Sequence, residues 1–265
     1  MKEGNIEKEV RPHEARIGLF GCGNIGHIIA KHKVGVKIVA VFDKCTGRAE
    51  ELAAGVGANP YVDFQHFIQD EFDVVVEAAS VDAVRDYGEL ILKEGKDLII
   101  MSVGALADAS LKQKLVAIAR SNGRKIRIPT GALFGLDNLK IGKISKIEKL
   151  TLRSTKKPAS FGVETNERTL LFSGTDDKCI KLYPRNANIA VALSLAAERE
   201  VDVELWADPD AVHNTHEVLI AGEFGETAIT VNNVPSPDNP ATSYLAALSI
   251  LALLKDLTEP MVIGT

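Results

Sequence analysis

The sequence predicts an α/β fold in two parts: a doubly wound parallel sheet, and a smaller α+β domain with a mixed or antiparallel sheet. In the first half, short and almost continuously apolar strands alternate with amphipathic helices, which is typical of βαβ units whose sheet is buried on both faces. Beyond about Leu133 the strands alternate polar and apolar residues, as in sheets buried on one face. The length of 265 residues is sufficient for two such domains.

Five strand–helix repeats and one further strand account for the first half. The predicted strands are RIGLF, VKIVAVFD, PYV, FDVVVEAA, KDLIIMSV and RKIRIPTG. The predicted helices are NIGHIIAKHK, GRAEELAAGVG, DFQHFIQD, DAVRDYGELILKEG and DASLKQKLVAIARSNG. Their apolar residues recur at helical spacing, and the crossovers between parallel strands are expected to be right-handed.

The second half combines longer strands with helices. The predicted strands are SKIEKLTLRSTKKP, ERTLLFSG, VDVELWADP, THEVLIAGEFG and ETAITVNNV, and the last two form a hairpin through EFGE. The predicted helices are the short FGLDNLKIGK, then TDDKCIKLYP and RNANIAVALSLAAERE. A final helix, from Ala241 to about Leu257, is apolar enough to pack back on the first domain. We therefore predict a flexible extension at 1–15, a first domain at 16–132 plus 237–265, and a second at 133–236.

Composition limits the classes of function. The net charge of −5 gives no electrostatic reason to expect nucleic acid or an anionic membrane as a partner. The apolar stretch SYLAALSILALLKDL is too short to span a bilayer, and the N-terminus lacks the apolar segment of a secretory signal. Three widely separated cysteines imply neither a disulfide framework nor a metal site, so we expect a cytoplasmic protein without a bound metal.

Three glycines form a GxGxxG motif between the first strand and the first helix. Gly21 would permit the tight turn, Gly23 would let a pyrophosphate approach the backbone, and Gly26 would let the helix pack closely on the strand. The motif alone is weak, since glycines also mark ordinary turns, but its place in a βαβ unit is typical of a dinucleotide site. The start of the helix adds N–H groups for the anion. We expect a Rossmann-type domain in which these glycines, Asn24 and Ile25 contact the cofactor.

The end of the second strand bears on the choice of cofactor. Asp43 would accept hydrogen bonds from the ribose hydroxyls, and its charge would repel a 2′-phosphate. Lys44 and Arg48 follow and could neutralise that phosphate, or could simply be solvated. The sequence favours NAD, with Lys44 among the contacts, and leaves NADP open.

Two further strand ends face the same predicted crevice. Small residues in EAAS, namely Ala78, Ala79 and Ser80, would let a nucleotide lie across the sheet edge, and Ser102 follows the next strand in the same manner. The alternative is purely structural, with Ser80 capping a helix and Gly104 forming a turn.

Candidate chemical groups lie in the second domain. His216 begins a strand, which would fix its orientation, and a histidine that titrates near neutrality suits proton transfer. His213 lies in the preceding loop and is more consistent with a surface position. Lys156 and Lys157 suit a dicarboxylate, or belong to a solvated loop, and Asn186 could be a helix cap or a ligand.

A series of motifs in this order gives the chain a family resemblance. The motifs are GCGNIG, EAAS, MSVGAL, IPTGALFGLD, TKKP, YPRNANIAVALSLA, ADP, NTHE, GEFGE and PSPDNPATSYLAALS. From about Ile17 to the C-terminal helix the chain resembles the L-aspartate dehydrogenases. The blocks PTGALFGLD and YPRNANIAVALSLA separate it from homoserine dehydrogenases and dihydrodipicolinate reductases. The lysine pair before the single Pro158, and Tyr183 where phenylalanine is usual, are mild departures.

The resemblance implies an activity and roles for particular residues. It implies NAD(P)-dependent oxidation of L-aspartate through iminoaspartate to oxaloacetate and ammonia, with the imine also available for NAD biosynthesis. It implies that His216 is the active-site histidine, that Ala132 and Asn186 contact the nucleotide, and that the enzyme is a homodimer, joined through the sheet of the second domain. With it, we expect Lys156, Lys157 and Asn214 to bind the substrate.

Two other interpretations stay open at this point. One is a dehydrogenase or reductase for another amino-acid-derived substrate, of the homoserine or dihydrodipicolinate type. The other is an NAD(H)-sensing protein without turnover.

Overall fold

The computed structural model describes residues 14–32, 34–184, 187–237 and 239–264. The first sheet consists of six strands in the spatial order β3-β2-β1-β4-β5-β6, all of them parallel. This order winds the chain in both directions from β1, and it confirms the predicted doubly wound class. The strands are β1 (Ala15–Phe20), β2 (Val36–Phe42), β3 (Asn59–Tyr61), β4 (Val74–Glu77), β5 (Asp97–Ile100) and β6 (Ile126–Arg127).

Helices cover both faces of this sheet, as the apolar strands require. Alternate residues of β1 enter different cores: Phe20 belongs to one cluster of buried residues, and Leu19 to the other. A strand buried on both faces needs apolar side chains at every position, which accounts for its lack of alternation. The helices are α1 (Asn24–His32), α2 (Thr46–Val56), α3 (Phe64–Ile68), α4 (Val81–Lys93) and α5 (Ala109–Ser121), with a 3₁₀ helix at Val103–Ala107.

The second sheet is mixed, in the order β11-β10-β7-β9-β8. The pair β7 and β9 is parallel, whereas β10 runs antiparallel to both β7 and β11, and β8 antiparallel to β9. The predicted EFGE hairpin is present, and its loop has two residues, since Gly222 pairs with Gly225. The strands are β7 (Ile147–Lys156), β8 (Thr169–Thr175), β9 (Asp202–Ala207), β10 (Asn214–Gly222) and β11 (Gly225–Asn233).

Two helices of the second half lie against this sheet and the first domain. They are α6 (Asp176–Leu182) and α7 (Asn188–Ala197). Half of the residues of α7 are buried, and the helix packs against the 3₁₀ helix that follows β5, so the two domains share one apolar cluster. The predicted helix in FGLDNLKIGK is a 3₁₀ helix at Asn138–Lys143.

The chain then returns to the first domain. A short ribbon of β12 (Pro235–Ser236) and β13 (Asn239–Ser243), which was not predicted from the sequence, leads into α8 (Tyr244–Asp256). The final helix therefore begins at Tyr244 and not at the predicted Ala241, because the residues before it pair as a strand. Helix α8 packs against α1, and its buried residues join the core on that face of the first sheet. Within the described ranges, no helix is long and apolar enough to cross a membrane.

The buried side of α8 should stabilise the first domain. Ile250 is fully buried in the core between α8 and the first sheet, so we expect Ile250→Ala to lower the free energy of unfolding by about 2–5 kcal/mol, through lost apolar contact and the cavity left behind. Urea denaturation followed by circular dichroism measures this. Leu248, 39% exposed on the same helix, is the matched control, and Leu248→Ala should change stability by less than about 0.5 kcal/mol. Equal losses in the two variants would contradict this packing.

Candidate active site

The three glycines of the first loop meet different surroundings. Gly21 has φ of +107°, and a Cβ there would lie 2.7 Å from the carbonyl oxygen of Ala78. A Cβ on Gly26 would collide with the carbonyl oxygen of Gly21. A Cβ on Gly23 would meet nothing within 4 Å. The first two glycines are therefore required by the fold, whereas the space beside Gly23 is open and fits the approach of a pyrophosphate.

Asp43 shapes this loop from the end of β2. Its Oδ2 accepts a hydrogen bond from the Cys22 N–H at 2.9 Å, and its Oδ1 accepts one from the Cys45 N–H at 2.8 Å. Each carboxylate oxygen has a second lone pair, so a ribose hydroxyl can still be bound. Lys44 and Arg48 are exposed beside it.

The other predicted cofactor contacts, Asn24, Ile25 and Asn186, differ in their surroundings. The Nδ2 atom of Asn24 is buried and has no hydrogen-bond partner in the part of the chain that the structure describes, and Ile25 packs against the core beside it. An unpaired buried donor is costly. Asn186 lies outside the described residues.

A buried glutamate that was not among the predicted site residues organises the next two strand ends. Glu77 is fully buried at the end of β4 and accepts hydrogen bonds from the N–H groups of Ala79, Ser80 and Ser102 at 2.8–3.0 Å, and from the Ser102 hydroxyl at 2.8 Å. Burial raises the pKa of Glu77, and these four hydrogen bonds act against that shift. A charged residue closing an apolar strand is the signal that could have found it.

Glu77 changes what the neighbouring residues can do. The polar groups of Ser102 and the N–H groups of Ala79 and Ser80 are directed at its carboxylate. The Ser80 hydroxyl also caps α4, accepting the Ala83 N–H at 3.1 Å. These hydrogen-bonding groups therefore shape the crevice and are directed at Glu77. Ala78 also shapes the crevice, since its backbone packs against Gly21.

A cavity of about 300 Å³ lies between the two domains. It brings together four residues that the sequence analysis selected: Ala132, Lys156, Asn214 and His216. The other lining residues are Met101, Val103, Pro129, Thr130, Gly131, Asn188, Ile189, Ala192, Ser243 and Ala246. Lys157 is exposed and is not among them.

Strand register explains this grouping. His216 on β10 pairs directly with Ser154 on β7, and both side chains are buried. Alternation along a strand places Lys156 on the same face as Ser154, and Asn214 on the same face as His216. Lys157 follows on the opposite side and lies outside the cavity. His213, in the loop before β10, is exposed.

His216 has a strongly perturbed environment. It is 3% exposed, and its Nδ1 lies 2.9 Å from the Ser154 Oγ. Burial, and to a lesser extent the positive charge of Lys156, lower the pKa of His216 to about 3. The expectation that His216 titrates near neutrality is therefore wrong, because the ring is buried. The sequence places His216 at the start of a strand but does not show how deeply its side chain is buried. Burial also lowers the pKa of Lys156, whose ammonium lies 5.8 Å from the centre of the Phe161 ring.

Hydrogen bonds between the two domains fix the positions of residues around the cavity. The Asn233 Nδ2 donates to the carbonyl oxygen of Ala132 at 3.2 Å, and the Ser243 hydroxyl donates to the Asn233 Oδ1 at 2.6 Å. The Gly104 N–H donates to the Asn188 Oδ1 at 3.0 Å. These polar partners were not found from the sequence, because two of the three pairs join segments far apart in the chain and the third depends on how the loop after β11 folds back. In the described ranges, no cluster of three or more histidine, cysteine or acidic side chains could hold a metal.

Comparison with known proteins identifies the class of enzyme to which the chain belongs. A family model described as "Homoserine dehydrogenase, NAD binding domain" matches residues 21–129, and one described as "Aspartate dehydrogenase, C-terminal" matches residues 137–257. The WlbA dehydrogenase of Bordetella pertussis shares the fold, with a TM-score of 0.52 and 14% identity over 91% of this chain and 94% of that one. The chain is thus a two-domain, nicotinamide-dinucleotide-dependent oxidoreductase.

More similar proteins define the family. The crystal structure of aspartate dehydrogenase from Thermotoga maritima matches with a TM-score of 0.81 and 27% identity, covering 95% of this chain and 100% of that one. L-aspartate dehydrogenases of Methanospirillum hungatei and Methanothermobacter thermautotrophicus are 56% and 43% identical, each over 94% of this chain and 99% and 98% of their own. The chain belongs to the L-aspartate dehydrogenase family, as its motifs indicate.

The different surroundings of Gly23 and Gly26 predict different defects. Gly23→Ala should leave the melting temperature unchanged and raise the Kd for NADH about tenfold or more, since the new methyl group fills the open side of the loop. Gly26→Ala should cost about 1–3 kcal/mol of stability through the clash with Gly21. Thermal unfolding and fluorescence titration measure the two effects. Tight NADH binding by a folded Gly23→Ala protein would contradict the assignment of the loop.

The burial of His216 should make stability depend on pH. The unfolded chain takes up a proton on this ring as the pH falls below 6.5, whereas the folded ring stays neutral until about pH 3. Its contribution to stability is therefore present above pH 6.5 and is lost as the pH falls through this window, by up to about 1.4 kcal/mol per pH unit. His216→Gln should remove that loss, which urea denaturation at pH 7, 6, 5 and 4 measures.

The exposed His213 provides the control for this titration. His213→Gln should follow the wild-type pH dependence. Parallel stability curves for wild type and His216→Gln would show that the imidazole is not held neutral by burial.

Proposed function

We propose that this chain oxidises L-aspartate with a nicotinamide dinucleotide, producing iminoaspartate, which water converts to oxaloacetate and ammonia. The observation that carries the proposal is the interdomain cavity in which Lys156 and Asn214 lie with the buried His216. The relatives named L-aspartate dehydrogenase, which match nearly the whole chain, support the choice of substrate.

The substrate is a dicarboxylate, and the cavity has a matching cation. The Lys156 ammonium is partly removed from water, so it is expected to gain from pairing with a carboxylate. The side-chain amides of Asn214 and Asn188 add uncharged donors around it. Together they would orient the Cα–H bond, and holding reacting atoms in place accounts for a large part of enzymatic rate enhancement.

The chain would supply binding and hydrogen-bonding groups, while the cofactor would supply the redox chemistry. The glycine loop would hold this cofactor, which when bound would supply the acceptor for the hydride of the substrate Cα. His216 is uncharged at neutral pH, so it would act through its ring nitrogen as a hydrogen-bonding group toward substrate or water and not as a fixed cation. Its position beside Lys156 means that a bound carboxylate would offset the charge that disfavours its protonation.

We propose the division into a nucleotide-binding domain at 16–132 plus 237–265, a substrate-binding and dimerisation domain at 133–236, and an N-terminal extension at 1–15. The packing of α8 on α1 supports assigning the C-terminal segment to the first of these. Asp43 favours NAD, and exposed Lys44 and Arg48 leave room for NADP. The cofactor contacts would come from the glycine loop, the strand-end residues 78–80 and 102, Ala132 and Asn186.

We also propose a homodimer formed through the second sheet, a cytoplasmic location and a supply of the imine to NAD biosynthesis. Cys22, Cys45 and Cys179 are free thiols, which fits a reducing compartment.

A steady-state assay tests the proposal. Wild-type protein should reduce NAD with L-aspartate and not with L-homoserine, as followed by NADH absorbance. Lys156→Met should raise the KM for L-aspartate about 10- to 100-fold, the loss expected for a charge-assisted hydrogen bond, and should leave the KM for NAD unchanged. Lys157→Met, at the exposed neighbouring position, is the matched control and should behave as wild type.

Two outcomes would favour the other interpretations. Turnover of L-homoserine without turnover of L-aspartate would assign the chain to a different amino-acid substrate. Tight NADH binding without turnover of any amino acid would identify a sensor.

A further inference from the structure

The buried pair of Ser154 and His216 bears on which nitrogen of the imidazole ring is protonated. The two residues are direct partners across the antiparallel strands β7 and β10, and they are 2% and 3% exposed. Their side chains form one hydrogen bond, 2.9 Å from the Ser154 Oγ to the His216 Nδ1. Either group can be the donor in a pair of this kind, and the choice decides which ring nitrogen of the neutral imidazole carries the proton.

The surroundings of Ser154 decide the direction of this bond. A serine hydroxyl has one hydrogen to donate, and, throughout the described residues, His216 Nδ1 is its one hydrogen-bond partner. If the ring donated from Nδ1, the hydroxyl hydrogen would be buried without an acceptor, which is unfavourable. The favoured arrangement has the hydroxyl donating to Nδ1, which in a neutral ring leaves the proton on Nε2.

We propose that Ser154 is a positioning residue that holds neutral His216 in the Nε2–H tautomer, so that the ring presents a hydrogen-bond donor to the substrate cavity. This inference rests on the proposed function for its catalytic meaning. Nδ1 is engaged with Ser154, and Nε2 is the remaining nitrogen of a ring that lines the cavity. The resting imidazole therefore offers an N–H group to a carboxylate oxygen of the substrate. An imidazole poised to remove a proton from the substrate ammonium would need the opposite tautomer.

Nuclear magnetic resonance tests the tautomer directly. Full-length wild-type protein labelled with ¹⁵N-histidine is compared with His216→Gln at pH 7.5, in long-range ¹H–¹⁵N spectra that distinguish a protonated from an unprotonated ring nitrogen. The resonances lost in the variant belong to His216. We expect an unprotonated Nδ1 and a protonated Nε2, and a protonated Nδ1 would overturn the proposal. This measurement does not depend on the folding of any variant at position 154.

Variants of Ser154 then test the cause. Ser154→Ala should populate the Nδ1–H tautomer and lower kcat about tenfold, with the KM for NAD unchanged. Ser154→Thr restores a hydroxyl, so it should recover the Nε2–H tautomer and the wild-type kcat. Thr155→Ala, on the opposite face of β7, is the matched control. A Ser154→Ala protein with the wild-type tautomer would overturn the proposal, even if its stability fell.

The two proposals fail in different ways. If the Nε2–H tautomer is present and His216→Gln keeps full turnover of L-aspartate, the catalytic role is wrong and the tautomer assignment stands. If the opposite tautomer is found in an enzyme that loses turnover with His216→Gln, the assignment to Ser154 is wrong and the catalytic role stands.

Discussion

The antiparallel register of β7 and β10 is the constraint on which the candidate site depends. It sets His216 opposite Ser154 and carries Lys156 and Asn214 to the same face of the sheet. A shift of β10 by one residue would turn the imidazole away from the cavity, and a shift of β7 by one residue would replace Lys156 there with Thr155. The apolar side chains of the same face, among them Leu152 and Val218, are buried in the core and hold the register in place.

Burial then determines the charge states within that register. A cationic Lys156 and a protonated His216 would be two like charges in one poorly solvated cavity, and the imidazole is the group that stays neutral. The proposed dicarboxylate substrate would compensate the lysine charge and meet a neutral ring. In that proposal, recognition of a carboxylate and control of the ring's protonation would have the same physical origin.

Carboxylates organise the nucleotide side of the crevice. Asp43 ties the glycine loop to the end of β2, and Glu77 ties together the loops that follow β4 and β5. Both lie at the carboxyl ends of parallel strands, where backbone N–H groups of the following loops converge. A residue can thus belong to a cofactor motif and serve mainly to shape the loop. Sequence motifs do not separate these two roles, whereas hydrogen-bond geometry does.

The sequence by itself determined the fold class, nearly all strands and helices, and the family, because hydrophobic periodicity and ordered motifs are local properties of the chain. It also selected His216 and Lys156. Only the tertiary structure decided that Lys157 lies outside the cavity, that Glu77 accepts the hydrogen bonds of Ser102, and that burial lowers the pKa of His216 well below neutrality. Each of these depends on contacts between segments far apart in the chain, and on the desolvation that such contacts produce.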